Sequence, residues 1–167
     1  MSRLFEVKPA EELLDAEFLA KWQERREIDP LSRSVLRAIL DRFIAEGGPV
    51  KVSEFPAEAR AVIARLDEKD LILVEDGQIR VAYPFSGTRT AFVVVLPDGR
   101  QRYAVCAIDA LGIPVMLGQP VSIQSSCHHC GEPMELDVGP DGPVGGPEVM
   151  VWVGKRGDIR QKACASI

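Results

Sequence analysis

Long apolar runs, cysteine, histidine and excess positive charge are all scarce in this chain of 167 residues, which has 4 Cys and 2 His. No segment approaches the ~20 apolar residues that a membrane-spanning helix needs. The opening MSRLFEVKPAEELLDAE interleaves charge with hydrophobe where a signal peptide would be continuously apolar, so a cytoplasmic location and no membrane partner are expected. Against 25 Asp and Glu stand 20 Lys and Arg, a net charge of -5. That balance argues against broad nucleic-acid binding, which needs a basic face to displace counterions. Four cysteines are also too few for a disulfide scaffold of this size. With 46% hydrophobic residues the chain can bury its own core, and in a reducing compartment its thiols are free for metal binding or catalysis.

What is present divides into two parts. From Ala10 to about Glu27, the residues Leu13, Leu14, Phe18, Leu19 and Trp22 recur at helical spacing. Asp29-Pro30 ends that helix, and Leu31 to Ala45 repeats the pattern until Gly47-Gly48 stops it. After KVSEF, Pro56 opens a third helix carrying Ala59, Val62, Ile63 and Leu66. LILVEDGQIRVAY then reads as two strands turning at Asp76-Gly77. Helices followed by a hairpin outline a winged-helix-like unit. Its third helix balances acids against bases, which favours a structural or partner-docking role over reading DNA.

Beyond Pro84 the pattern is strands and turns. AFVVVL and QRYAV flank Pro97-Asp98-Gly99 as a second hairpin, and CAIDALGIPVMLG is a short helix expected to halt at Gly112 and Pro114. PVSIQSS, PMELDV and EVMVWVG are three further strands. The expected fold is α+β: a winged-helix-like domain over residues 1–86, then a small mixed or antiparallel sheet with a short catalytic helix over 87–167.

Cys106 and Asp109 lie three apart at the start of that helix, so thiol and carboxyl share one face. A helix N-terminus favours anions, which predicts a Cys106 thiol that ionises readily and serves as nucleophile or soft-metal ligand. Asp109, beside a thiolate and an apolar wall, would keep its proton longer and act as an acid. The alternative is a small buried side chain followed by an ordinary dipole partner. Cys127-His128-His129-Cys130 has the spacing of half a zinc knuckle, a candidate site for Zn or another metal, with His128 and His129 as weaker ligands. Cys164, near Arg160 and Lys162, is the fourth thiol.

The run RYAVCAIDALGIPVMLGQPVSIQSSC, with RQKAC later, resembles the alkylmercury lyases. Matched residue by residue, the resemblance makes Cys106 and Cys164 the catalytic cysteines, Asp109 the catalytic aspartate and Cys127 a structural cysteine. It implies protonolysis of carbon-mercury bonds to a hydrocarbon and Hg(II), with no required cofactor. The partners it implies are an organomercurial substrate and small thiols that carry off the product; a homodimer is left open. Phe85, Phe92, Met116 and Trp152 are candidate walls for the organic group. Cys130, His128 and His129 extend the single family cysteine into a knuckle, and the sequence ends at Ile167, where family members continue; both features mark a divergent member. The rival reading is a non-enzymatic metal-binding or metal-sensing protein built on the CHHC turn.

Overall fold

The structure, a computed structural model, describes Ala20, Gln23 and residues 27–145 and 149–151. Helix α1 (Pro30–Glu46) starts where Asp29 accepts hydrogen bonds from the Ser32 backbone N–H at 2.9 Å and the Ser32 hydroxyl at 2.6 Å, with Pro30 in the first turn. It ends at Gly47, whose left-handed φ of 97° lets its N–H return to the Phe43 carbonyl. Strand β1 (Val50–Lys51), a 3-10 turn (Val52–Glu54) and helix α2 (Ala57–Glu68) follow. Strands β2 (Ile72–Glu75) and β3 (Gln78–Ala82) then pair antiparallel around Asp76-Gly77. Both turn residues have positive φ, 50° and 72°, as a two-residue hairpin requires. Of the first expected helix, Ala20 and Gln23 are helical; its other residues up to Arg26 lie outside the described set.

The second half contributes β4 (Phe85–Ser86), β5 (Val93–Val95), β6 (Gln101–Ala104), α3 (Ala107–Leu117), β7 (Val121–Ser126), β8 (Pro133–Gly139) and β9 (Gly142–Pro143). All described pairings are antiparallel. The sheet order is β1-β3-β4-β6-β5-β7-β8-β9, with β2 also on β3, so one sheet crosses the expected boundary at residue 86. Phe85 and Ser86 make the join, pairing with Ala82 and Val81 on one side and with Ala104 and Tyr103 on the other.

One sheet face is apolar. Val94, Ala104, Val121, Ile123 and Val138 point there and share a core with Ile39 and Phe43 of α1, Val62, Ile63 and Leu66 of α2, and Ala110 and Ile113 of α3. The other face of β7 and β8 is polar, with Ser122 donating to Glu135 at 2.9 Å. No helix among the described residues is long and apolar enough to cross a membrane.

Two expectations need correction. Helix α3 does not stop at Gly112 or Pro114 but runs to Leu117, where Gly118 caps it with a φ of 65°. Pro114 forfeits one backbone donor, yet its ring is fully buried in the core, and that packing offsets the lost bond. The strand expected over EVMVWVG is absent at 149–151, and its remainder lies outside the described residues.

Arg102 joins the halves. Its side chain, 8% exposed, points from β6 at the C-terminus of α1 and donates to the Ile44 carbonyl at 2.6 and 2.9 Å and to the Ala45 carbonyl at 2.8 Å. Arg100 reaches the same two carbonyls at 3.1 and 2.8 Å. We expect Arg102→Leu to lower folding stability by about 2 kcal/mol, because two helix-end carbonyls lose a charged donor. Urea denaturation measures this; an unchanged midpoint would show that Arg100 and water suffice.

Candidate active site

Strand β6 delivers the chain to Cys106, which leaves the sheet in extended conformation (φ -146°, ψ 178°) and caps α3. Its Sγ accepts the Asp109 backbone N–H at 3.4 Å, and its thiol donates to Asp109 Oδ2 at 3.0 Å. The spacing of three does what the sequence implies: it folds the carboxyl back over the thiol. Both side chains are partly buried.

The electrostatics differ from expectation at one of the two groups. Burial, and then the hydrogen bond to Asp109, push the Cys106 thiol up from 9.0 to about 11. The helix N-terminus lowers it less than burial raises it, so the expected easily ionised thiol is corrected to one that keeps its proton at neutral pH. Asp109 is also raised, by burial, with the Cys106 hydrogen bond opposing. This agrees with the expected direction. The proton of the pair therefore rests on the sulfur, which donates it in a hydrogen bond to the carboxylate.

Helix α3 also carries exposed apolar side chains along its length. Ile108, Val115 and Met116, spaced to fall on one helical face, are 58%, 64% and 41% exposed. Of the other expected walls, Phe85 is in the core, Phe92 is half-buried against it, and Trp152 lies outside the described residues. Two surface clefts of about 480 and 330 Å³ lie in the N-terminal half, around Lys51 and Gly77 and around Asp29 and Arg65; neither contains a thiol.

Cys127 follows β7 at the same end of the sheet. Val93 pairs with both Tyr103 of β6 and Gln124 of β7, which sets those two residues level, two strand spacings or roughly 10 Å apart, and Cys106 and Cys127 each follow them by three residues at the same end of the sheet. The CHHC segment is a closed turn. The Gly131 N–H donates to the Cys127 carbonyl at 2.8 Å, and the Cys127 N–H donates to the Glu132 carbonyl at 2.8 Å. Backbone N–H groups of Cys130 and His129, and then the Cys130 side chain, hydrogen-bond the Cys127 sulfur and hold its thiol below the usual value. Cys130, His128 and His129 are exposed. Among the described residues no set of three or more His, Cys, Asp or Glu converges as a metal would require. The expected zinc site thus finds two sulfurs and no further ligands there. Cys164, with Arg160 and Lys162, lies outside the described residues. Sequence reasoning missed the placement of Cys106 and Cys127 at one end of the sheet; the alternation of β5, β6 and β7 was the signal that could have found it.

Comparison with known proteins identifies the context of this geometry. The family profile described as alkylmercury lyase matches residues 85–167. An alkylmercury lyase of Staphylococcus epidermidis is 33% identical over 105 residues, 60% of this chain and 48% of that protein. One from Bacillus cereus is 52% identical over 44 residues, 26% of this chain and 20% of that protein. The matched regions thus span less than half the length of these curated relatives. Among solved structures, the mercury-bound form of MerB2 superimposes with a TM-score of 0.62 at 26% identity, covering 78% of this chain and 67% of that one. The matched half contains both residues of the thiol-carboxyl pair and the CHHC turn, and through residues 85–167 the chain belongs to the alkylmercury lyase family.

Proposed function

We propose that the protein cleaves carbon-mercury bonds by protonolysis, with Cys106 as the lead thiol, Asp109 as proton carrier and Cys164 as the second thiol. The observation that carries this reading is the 3.0 Å hydrogen bond from the Cys106 thiol to Asp109 Oδ2, inside the segment that matches the family. Mercury(II) is soft and prefers sulfur. As an organomercurial R-Hg-X meets Cys106, the Hg–S bond forms, X leaves with its electron pair, and the thiol proton passes to Asp109. Burial suits the carboxyl to hold that proton. A second thiol then coordinates the metal, losing its own proton to solvent. As the Hg–C bond breaks, its electron pair takes the proton from Asp109, R-H departs, and Hg(II) stays on two sulfurs. Nothing is oxidised or reduced, and no organic cofactor enters the balance.

The exposed Ile108, next in sequence to Asp109, and Val115 and Met116 further along the same helix offer apolar surface to an R group. Cys164 enters through the resemblance of RQKAC to the family's second cysteine segment. Small thiols of a reducing cytoplasm are the acceptors that would strip Hg(II) from the site. In the N-terminal half, the order of helix, strand, helix and hairpin, with β1 on β3, supports the winged-helix-like reading. We assign this unit to packing rather than DNA reading, since α2 offers Arg60 and Arg65 against Glu58, Asp67 and Glu68. A division near residue 86 then separates roles within one sheet.

Methylmercury with excess small thiol should give methane, measured by gas chromatography. Asp109→Ala and Cys106→Ser should each slow its release by about 100-fold or more, the usual weight of a positioned acid or nucleophile. Methane at the wild-type rate from either variant would reject the assignment. The proton's resting place is tested separately by iodoacetamide and peptide mass mapping of the reduced protein. At about pH 8, Cys127 should be alkylated well before Cys106, whose reactivity should rise only toward about pH 11. Cys106 reacting first would place the proton on Asp109 instead.

A further inference from the structure

The CHHC turn is not used by the cleavage chemistry, yet it presents two free sulfurs in a closed backbone loop at the same end of the sheet as Cys106. Zinc would need two ligands more than the turn supplies, and no third His, Cys, Asp or Glu joins it among the described residues. A soft ion content with two thiolates has no such need. The turn is closed by its backbone, the Gly131 N–H donating to the Cys127 carbonyl and the Cys127 N–H to the Glu132 carbonyl at 2.8 Å each, so both sulfurs belong to one tight loop. Little reorganisation separates this arrangement from a chelate, and Cys130 can rotate outward to open the angle between the sulfurs.

We propose that Cys127 and Cys130 form a second, two-sulfur Hg(II) site that takes the inorganic product from the reaction site. This inference rests on the lyase reading for the source of the ion, but not for the binding itself. The transfer is a ligand exchange. Two Hg–S bonds to the reaction-site thiolates break, two to Cys127 and Cys130 form, and protons of the incoming thiols pass to the leaving ones. The oxidation state of mercury is unchanged. Cys106 and Cys127 follow the level residues Tyr103 and Gln124 by three residues each, so both thiols lie at one sheet end and the exchange stays within the chain. The freed reaction site can then accept another organomercurial before any external thiol arrives.

Two measurements test this. In the first, the reduced full chain carrying Cys106→Ser and Cys164→Ser is titrated with mercuric chloride against a competing monothiol. It should retain one Hg(II) through gel filtration, with sulfur-to-mercury charge-transfer absorbance. Adding Cys130→Ser should weaken retention by about 100-fold, the loss expected when a chelate becomes a single thiolate. Loss of all mercury from the Cys106/Cys164 variant, or no effect of Cys130→Ser, would overturn the site. In the second, the unsubstituted reduced chain is given excess methylmercury without small thiol and methane is counted. Close to two methane per chain, falling toward one with Cys130→Ser, would establish the hand-over. One methane from both proteins would overturn the transfer while the lyase reading stood. No methane from either would overturn the lyase reading and the transfer together, leaving the titration to decide the site alone.

Discussion

The position of the reactive thiol depends on a buried guanidinium. The last carbonyls of any helix lack backbone partners, and in α1 two of them, of Ile44 and Ala45, are met by side chains from the sheet. Arg102 meets both. Burial and the charge of nearby Arg100 hold the Arg102 pKa below that of a free guanidinium, but helix carbonyls at their negative pole are the partners that a buried cation needs. Four residues after Arg102 along the same segment comes Cys106. The clamp therefore fixes β6 against the N-terminal helices and, through β6, sets where the chain leaves the sheet to start α3. Arg100 reaches the same two carbonyls, and β4 pairs β6 with β3, so the clamp adds to ties that already span more than fifty residues of chain.

Much of this fold is written in local pattern. Asp29-Pro30 and Gly47 bracket α1 because each supplies a cap chemistry that few other residues supply, and Asp76-Gly77 turns a hairpin because both positions require positive φ. The features that sequence reading missed are non-local. Phe85-Ser86 is only two residues long, lies between Pro84 and Gly87, and has no alternation to detect, yet it welds the two halves into one sheet. Pro114 reads as a stop, because its missing donor is visible in sequence whereas the fully buried ring that compensates is not.

The same division runs through the site. The spacing of Cys106 and Asp109 encodes their contact, because three residues at a helix start bring two side chains together whatever else surrounds them. Who holds the proton is a different kind of fact. A helix N-terminus lowers a thiol pKa through a few backbone dipoles, whereas burial raises it through loss of water on every side. At Cys106 burial is the larger effect, and burial depends on α3 lying against β6, β7 and β8, which the local sequence does not state.

Cys127 illustrates the converse. Its sulfur is in a turn, open to solvent and bonded by backbone N–H groups, so dipoles prevail there and the thiol is lowered. A thiol that must supply a proton to carbon has to arrive protonated, and ionise only when a metal takes its lone pair and a carboxylate stands ready for the proton. A thiol bonded by backbone donors instead gives up its proton more readily. Burial against Asp109 produces the first kind and an exposed loop of backbone donors produces the second. The sheet places them at one end because β5 runs antiparallel to both β6 and β7, so the ends of those two strands point the same way. Burial and backbone dipoles thus leave two thiols of opposite character at one sheet end, Cys106 holding its proton and Cys127 giving it up more readily.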